Sequence, residues 1–383
     1  MTKPDPHLFK PFRLRNVECR NRVVISPMCQ YSARDGFVSD WHLVELGRYA
    51  LGGAGMVFVE ATAVEKRGRI THGDVGLWSD EHIPGLRRIA DFLRAEGSVP
   101  GIQLGHAGRK GSAQRPWHGG GALGAVDREQ RGEEAWETVA PSALPVGENW
   151  HTPVALEAAD LEDLKSAWRD AAERANEAGF DVIELHCAHG YLLHQFLSPI
   201  SNTRTDGYGG SLEARCRFPL EVARVLRDTW PADKPMFVRV SAVDGVDGGL
   251  SLDDTLYFAR ALKALDIDLI DCSSGGIGGS ATAARVPRGY GFQVPYAEAV
   301  RERAGIPTMA VGLIVDPAQA EAIVAKGQAD LVAIAREALV DPNWPLHAEQ
   351  ALLGGATFER WPEQFDWWLT NRARTLEKLG PVS

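Results

Sequence analysis

Two histidines and a tyrosine lie close together in one short segment, at His186, His189 and Tyr191. The segment follows an apolar stretch, residues 182–186, that is typical of a buried parallel strand. Two neutral imidazoles can each donate an N–H group to one carbonyl or nitro oxygen, and a neighbouring tyrosine can supply a proton. Imidazoles are also good zinc ligands, but no convincing third ligand accompanies this pair. We therefore favour the hydrogen-bonding interpretation and expect no metal site.

Further polar or small residues follow other apolar runs at the same relative position. They are Ser26, Pro27, Met28, Cys29, Tyr31, Ala61, Gln103, Arg239, Gly312, Ala335 and Arg336. Gln103 presents both a donor and an acceptor, as a flavin ring edge requires. A buried Arg239 is costly unless it meets negative charge, so we expect a bound anionic cofactor as its partner. Cys29, taken alone, is equally well explained as a buried structural cysteine.

The residues after the last two apolar runs indicate an anion site. Gly312 alone is better explained as a turn glycine. Together with Ala335 and Arg336 it lies where α/β barrels commonly hold a phosphate. Such a site must be local, because 41 basic and 51 acidic residues give the chain a net charge of −10. This charge argues against non-specific binding of nucleic acid or of anionic membranes.

Short apolar runs alternate with amphipathic ones along the whole chain. The predicted strands are residues 23–26, 56–61, 101–104, 182–186, 236–240, 269–272, 308–311 and 331–335. The predicted helices are residues 41–51, 83–96, 161–178, 212–229, 252–265, 296–304, 317–326 and 344–353. Eight strand–helix repeats predict a (β/α)8 TIM barrel, in which the polar strand ends share one face.

Residues 107 to about 160 interrupt this alternation of strands and helices and show no clear helix. We interpret them as a long excursion after strand three that covers the carboxyl-end face, with a small hairpin. No linker-like composition divides the chain, so we expect one barrel domain over residues 1–383.

The remaining composition bears on the cellular compartment. Five cysteines without a C-x-x-C pair predict neither a disulfide framework nor a zinc ribbon. The first residues lack the apolar run of a signal peptide, and no apolar stretch reaches 18 residues. We expect a cytoplasmic protein.

The motifs taken together resemble the old yellow enzyme family across almost the whole chain, in particular its bacterial branch of xenobiotic reductases and thermophilic-like ene-reductases. The matching stretches are Arg20-Asn21-Arg22, Ser26-Pro27-Met28-Cys29-Gln30-Tyr31, Glu60-Ala61-Thr62-Ala63-Val64, Gln103-Leu104-Gly105-His106-Ala107-Gly108-Arg109-Lys110, the segment from His186 to Tyr191, and Arg204-Thr205-Asp206-Gly207-Tyr208-Gly209-Gly210-Ser211-Leu212-Glu213. Each stretch is modest alone, but their order and spacing are specific. Ala335 and Ala214 depart from the family pattern, which has glycine and asparagine there.

The resemblance implies FMN at the top of the barrel and assigns a role to each candidate. Residues 26–29 would line the flavin, with the Cys29 thiol tuning its potential. Ala61 and Gln103 would bind the pyrimidine edge, and Arg239 would lie by N1 and the C2 oxygen. Gly312, Ala335 and Arg336 would hold the phosphate. His186 and His189 would bind the substrate oxygen, Tyr191 would protonate the α-carbon, and Tyr31 would line the pocket.

The family also implies a ping-pong reduction of enones and related electron-poor alkenes, with NADPH or NADH as the reductant. A homodimer or homotetramer is expected, in which Trp368, Arg372 or Arg374 of the C-terminal stretch would reach an active site. Two alternatives remain open at this point. One is a flavin-free barrel lyase or isomerase that acts on a phosphorylated substrate, and the other is a non-catalytic binding barrel.

Overall fold

The computed structural model describes residues 6–278, 286–355 and 357–380. Their strands are β1 (Phe12–Leu14), β2 (Val17–Cys19), β3 (Val23–Ile25), β4 (Met56–Ala63), β5 (Val99–Gly105), β6 (Val139–Ala140), β7 (Val154–Ala155), β8 (Val182–Cys187), β9 (Met236–Ser241), β10 (Leu269–Ser273), β11 (Thr308–Val311) and β12 (Leu331–Ile334). Their α-helices are α1 (Asp40–Leu51), α2 (Ile83–Ala95), α3 (Ala125–Arg131), α4 (Ala158–Glu177), α5 (Leu192–Leu197), α6 (Leu212–Thr229), α7 (Leu252–Ala264), α8 (Val294–Ala304), α9 (Pro317–Ala325), α10 (Arg336–Val340), α11 (Trp344–Leu353) and α12 (Glu363–Leu379).

Eight of these strands close into a barrel in chain order, β3-β4-β5-β8-β9-β10-β11-β12, and every pair of neighbours is parallel. The last strand returns to the first, where Ala333 pairs with Val24. Helices pack around the outside, as in a TIM barrel. The predicted (β/α)8 fold is confirmed, and all eight predicted strands are present within two residues of their expected starts.

The barrel interior is filled from its amino-terminal end by apolar side chains. Met56, Phe58, Phe237, Leu269 and Leu331 belong to one buried cluster there. The antiparallel hairpin β1–β2, which the sequence pattern did not predict, packs against the same cluster and covers that end. The polar residues must therefore occupy the opposite, carboxyl-end half of the barrel.

Two predicted helix starts are confirmed by their caps. Asp254 and Ser251 exchange bonds at the start of α7, where each backbone N–H donates to the other side chain, at 3.0 and 3.2 Å. Asp316 accepts from the backbone N–H of Gln319 at 3.0 Å, ahead of Pro317 in the first turn of α9. Both ends satisfy N–H groups that have no partner within the helix.

The excursion after β5 differs from its prediction in two ways. It contains a helix, α3, whose residues are mostly exposed and whose start is held by Asp127, which accepts from the backbone of Gly124 at 2.8 Å. An exposed, charged seven-residue helix shows no apolar periodicity, so the pattern could not reveal it. The small hairpin is reduced to one antiparallel bridge between Ala113 and Ala122, whereas β6 and β7 pair in parallel. Short or exposed elements at α5, α10 and α12 were also missed.

A bulge in β4 shapes the approach to the carboxyl-end face. Val59 pairs with Ile102 and Ala61 with Gln103, so that Glu60 has no partner in β5. Such an extra residue re-aims its side chain. The Glu60 carboxylate accepts from the backbone N–H of Gln30 at 2.7 Å and lies 3.1 Å from Nε2 of buried His42. The bulge therefore anchors the loop between β3 and α1.

In the part of the chain that the structure describes, no helix combines the length and the apolar character that crossing a bilayer requires.

The junction between α1 and α11 gives a test of the packing. A Cβ atom at Gly52, which ends α1, would overlap the carbonyl oxygen of Pro342, a backbone atom that has little room to move. We expect Gly52→Ala to lower the free energy of unfolding by about 1–3 kcal/mol, as overpacking does. Denaturant unfolding measures the change. Gly355→Ala, at a site where no atom lies within 4 Å of the new Cβ, is the control, and equal effects of the two would contradict the packing argument.

Candidate active site

The end of β8 brings the two histidines and the tyrosine together. The ring centres of His186 and His189 are 5.2 Å apart, and those of His186 and Tyr191 are 5.0 Å apart. His186 belongs to the strand, whereas His189 and Tyr191 lie in the turn before α5. The predicted grouping of these three side chains is therefore present in the fold.

Burial sets the protonation states of this group. Burial, together with the charge of Arg239, lowers the pKa of His186 and of His189 well below the usual value. Burial also raises the pKa of Tyr191 well above its ordinary value. Both imidazoles are consequently neutral and the phenol is protonated at neutral pH. Nδ1 of His186 accepts from the backbone N–H of Ala188 at 3.2 Å, so its proton is carried by Nε2.

The backbone of His189 is held on both sides. Its φ is +58°, a left-handed conformation that is uncommon outside glycine. Its N–H donates to Oγ of Ser241 at 2.9 Å, and its carbonyl accepts from Nζ of Lys110 at 2.8 Å. Lys110 also donates to the carbonyl of Gly276 in the loop after β10. Burial lowers the pKa of this lysine to about 7.

A second pair of buried residues supports the same turn. Nδ1 of His194 accepts from the backbone N–H of Gly190 at 2.8 Å, and its Nε2 lies 2.8 Å from Oδ1 of Asp244. Lys110, His194 and Asp244 were not predicted as site residues. Only Lys110 carried a signal in the sequence, because it ends the matching stretch that begins at Gln103.

The loop after β3 places Cys29 and Tyr31 beside this group. Burial is the main cause that raises the pKa of both side chains, and the Cys29 and Tyr191 side chains add to the effect on Tyr31. The edge of Tyr31 contacts Trp117 of the excursion, with ring centres 6.0 Å apart. The backbone carbonyl of Tyr31 accepts from Nε of Arg115 at 3.0 Å. Residues from the loop and from the excursion thus meet at one position.

A cavity of about 450 Å³ opens on the same face. It extends from His189 and Arg239 to Gly312, Ala335 and Arg336, which lie at the ends of β11 and β12. The φ of Gly312 is +117°, and a Cβ there would lie 2.8 Å from Nε2 of Gln293. Glycine is therefore required both by the turn and by the space. The predicted phosphate residues line one cavity, as do Arg288 and Phe292, which the sequence reasoning missed.

Arg239 has a negatively charged neighbour within the protein, which the sequence analysis did not predict. Its Nε lies 3.0 Å from Oδ2 of buried Asp271, so the protein itself supplies a negative charge. The guanidinium also donates to Oγ of Ser273, at 3.1 and 3.2 Å, and to Oγ of Ser26 at 3.1 Å. A neighbouring carboxylate on the next strand could not be recognised from the pattern, because Asp271 lies inside an apolar run.

Gln103 and Ala61 face each other across β4 and β5. The side-chain N–H of Gln103 donates to Oε1 of Glu184 at 2.7 Å, which orients the amide. Ala61 lines a second, small cavity together with Asp74, His186 and Tyr191. Pro27 and Met28 continue the chain from β3, and Met28 packs on the apolar core.

Trp368 is separate from this group. It lies on α12, where its side chain is 69% exposed, and it lines neither of the two cavities just described. Within the described ranges, no three His, Cys, Asp or Glu side chains form a group that could hold a metal ion.

A comparison with protein families decides how this face should be interpreted. The pattern of the NADH:flavin oxidoreductase / NADH oxidase family matches residues 7–353. The chain belongs to this family.

Its relatives are flavin oxidoreductases of similar length. The NADPH dehydrogenase of Geobacillus sp. (strain WCH70) is 45% identical over 347 residues, which cover 90% of this chain and 94% of that protein. The NADPH dehydrogenase of Bacillus subtilis (strain 168) is 43% identical over 347 residues, covering 90% and 95%.

Solved structures agree. Morphinone reductase matches with a TM-score of 0.73 at 27% identity, covering 92% of this chain and 91% of that one. A 2-naphthoyl-CoA reductase complex matches with a TM-score of 0.79 at 26% identity, and this chain spans 52% of that protein's length. The chain is thus an NAD(P)H-dependent flavin oxidoreductase of the old yellow enzyme type, a family that binds FMN.

The residues present fit FMN. The cavity is of the size that binds cofactors, the glycine cradle at Gly312 admits a close approach of the backbone, and Arg336 supplies a cation. At the other end, Arg239 and the oriented amide of Gln103 offer the donors that the polar edge of a flavin accepts. This fit joins the residues of the large cavity to those at the end of β8.

The protonation state of Cys29 is testable. Burial and the charges of Glu60 and Asp74 raise its pKa, so the group is a thiol and not a thiolate at neutral pH. We expect slow alkylation by iodoacetamide at about pH 7, with a rate that increases as the pH is raised further. The other four cysteines are buried and serve as the internal comparison. Mass spectrometry of the peptides measures each site, and rapid modification of Cys29 near neutral pH would contradict the assignment.

Proposed function

We propose that the protein is an ene-reductase, which reduces the activated C=C bond of enones and related electron-poor alkenes. The observation that carries the proposal is the group at the end of β8. It combines two neutral imidazoles with a protonated phenol. His186 is buried, His189 and Tyr191 are half-buried, and the ring centres of both lie within 5.2 Å of that of His186. Such a group suits a neutral substrate that has one electron-withdrawing oxygen and one carbon that must be protonated.

The chemistry divides between cofactor and protein. Bound FMN would supply the hydride for the β-carbon of the alkene. His186 and His189 donate N–H groups to the substrate oxygen and withdraw electron density from the double bond. Tyr191 holds a proton on its hydroxyl, next to His186, for delivery to the α-carbon. Tyr31 lines the pocket, and Lys110 fixes His189 through its carbonyl.

Either NADPH or NADH is the reductant, and the cycle is ping-pong, since one site serves both the nicotinamide and the alkene in turn. The names of the relatives support NADPH. A flavin-free lyase or isomerase would use the Gly312 and Arg336 end of the cavity alone. It would leave the oriented Gln103 amide and the buried imidazole pair without a task.

We further propose a single FMN-binding domain, a homodimer or homotetramer, and a cytoplasmic location. The exposed apolar side chains of α12, which include Phe365, Trp367, Trp368 and Leu379, support an association through this helix. None of the residues of α12 is buried within the chain itself. On this proposal Trp368 reaches the active site of a partner copy.

The cofactor and the substrate class have a direct test. We expect purified protein to carry a flavin absorption spectrum that bleaches with NADPH and returns when cyclohexenone is added. Spectrophotometry under anaerobic conditions follows both steps. Bleaching without recovery, across a panel of enones, maleimides and nitroalkenes, would refute the ene-reductase proposal while leaving the flavin assignment intact.

Tyr191→Phe separates the two half-reactions. Because only the alkene step needs a proton from the hydroxyl, we expect that step to slow by about 10²–10⁴-fold, with flavin reduction by NADPH nearly unchanged. Stopped-flow measurement of each half-reaction distinguishes them. Tyr257→Phe, at a largely exposed position on α7, is the matched control. Equal losses in both half-reactions of the Tyr191 variant would remove its role as proton donor.

A further inference from the structure

A layer of charged and polar side chains crosses the barrel interior just above the apolar cluster. It consists of Gln103 from β5, Glu184 from β8, Arg239 from β9 and Asp271 from β10. Gln103 pairs with Glu184 in the sheet register, and Arg239 pairs with Asp271. Both carboxyl groups are fully buried, and Arg239 is 7% exposed. The fit to FMN described above uses Gln103 and Arg239, and the two acids contact these two side chains.

The charges in this layer do not balance if both acids are ionised. Two carboxylates and one guanidinium would leave one negative charge in a fully buried space, which is strongly unfavourable. The hydrogen bonds do not compensate for it. Oε2 of Glu184 and both side-chain oxygens of Asp271 have no hydrogen-bond donor among the described residues. The N–H groups of Arg239 are directed at Ser26 and Ser273, so its contact with Asp271 is one of charge alone.

The two acids are not equivalent. Asp271 lies 3.0 Å from the guanidinium and gains most from being ionised. Glu184 accepts one bond, from the neutral amide of Gln103, and its second oxygen has no donor. Burial, reinforced by the negative charge of Asp271, raises the pKa of Glu184 to about 8. A proton on Oε2 would turn an unsatisfied acceptor into a donor in a layer where Asp271 offers two unsatisfied acceptors.

We propose that Glu184 and Asp271 hold one proton between them, carried by Glu184 at neutral pH, so that the layer below the flavin position is neutral. Asp271 then balances Arg239, and Glu184 is a carboxylic acid. The pair acts through Arg239 and Gln103, which makes both acids positioning residues and not catalytic ones. When the layer is neutral, the positive charge of Arg239 can stabilise the negative charge that FMN would gain on reduction. Two ionised acids would instead repel that negative charge.

The groups that face Glu184 and Asp271 determine which other titrations could change the charge of the layer. β9 contributes Arg239, and β5 contributes only the neutral Gln103. β8 contributes His186, which pairs with Arg239 in the register and whose pKa burial lowers well below the usual value. His189 lies beyond it, and its pKa is lowered in the same way. Neither imidazole gains a proton at neutral pH, so the charge of the layer changes only through the acid pair.

Infrared spectroscopy of the whole protein tests the proton directly, with or without FMN. In the wild-type minus Glu184→Gln difference spectrum we expect the carbonyl stretch of a protonated carboxylic acid at about pH 7, titrating away as the pH rises through about 8. Glu45 and Asp74, whose pKa burial raises to about 7, are present in both proteins and cancel in the difference. Asp268→Asn is the matched control. It removes a carboxylate at the opposite end of the barrel that is paired with Arg15, and it should keep the band.

Asp271→Asn tests whether the two acids share one proton. With that charge removed, Arg239 needs another counter-charge, and Glu184 should ionise to supply it. We therefore expect the band to disappear at about pH 7 although Glu184 is intact. A band that persists in Asp271→Asn would show that burial alone protonates Glu184 and would overturn the shared-proton proposal. Absence of the Glu184 band from the wild-type minus Glu184→Gln difference spectrum would overturn it equally.

A stability measurement gives an independent readout. The pKa of Glu184 is higher in the folded protein than in the unfolded chain, so its proton stabilises the folded state fully below about pH 4.5 and ceases to do so as the pH rises to about 8. The thermal midpoint of the wild type should therefore fall relative to that of Glu184→Gln across this range. In the FMN-bound protein, the reduction potential should fall more steeply with pH above about 8 in the wild type than in the variant. Parallel pH profiles in both measurements would contradict the proposal.

Discussion

Closure of the barrel between β12 and β3 is the constraint on which the rest of the site depends. The backbone N–H of Val332 donates to the carbonyl of Arg22 at 3.0 Å, and the N–H of Ser26 donates to the carbonyl of Ile334 at 2.9 Å. These bonds join segments that are about 300 residues apart in the chain, and they place the loop that begins at Ser26 beside Ala335 and Arg336. Because every strand runs in the same direction, all eight carboxyl ends then open on one face.

Closure also excludes water from the barrel interior. This desolvation determines which ionisable side chains are charged. In water, two histidines, a tyrosine and several acids would titrate near their ordinary values. Inside the barrel the neutral forms of His186, His189 and Tyr191 are favoured over a wide range of pH. The charge of Arg239 there is balanced by Asp271, and its guanidinium donates to two serine hydroxyls. The electrostatics of the site is therefore a property of the fold more than of any single loop.

Elements with strong periodicity could be predicted, and elements without it could not. The eight barrel strands are short apolar runs, and the N-caps at Ser251 and Asp316 have the residue types that caps require. The hairpin β1–β2 and the helix α3 have no continuous apolar face, and their stability comes from contacts with distant parts of the chain. A local pattern contains no information about such contacts.

Within the site, too, some residues could be predicted from the local pattern and others could not. His186, His189, Arg239 and Gly312 stand at strand ends, where the barrel rule finds them. Lys110, Glu60 and Asp271 act through backbone carbonyls, a bulge or the neighbouring strand. Their roles depend on register and distance, which emerge only when the strands are assembled. The sequence pattern likewise did not reveal that Arg239 also has a carboxylate neighbour within the protein, since Asp271 lies on the adjacent strand.

The excursion after β5 covers the carboxyl-end face and also holds two strained backbone positions in place. Tyr31 and His189 both have left-handed backbone conformations, with φ of 50° and 58°. Such positions cost on the order of 1–3 kcal/mol each and persist only where the surroundings hold them. At Tyr31 the carbonyl accepts from Arg115, and at His189 it accepts from Lys110, so that two basic side chains from the start of the excursion each bind one strained residue. The excursion therefore holds Tyr31 and His189 through their backbone carbonyls, and these two bonds leave their side chains uninvolved.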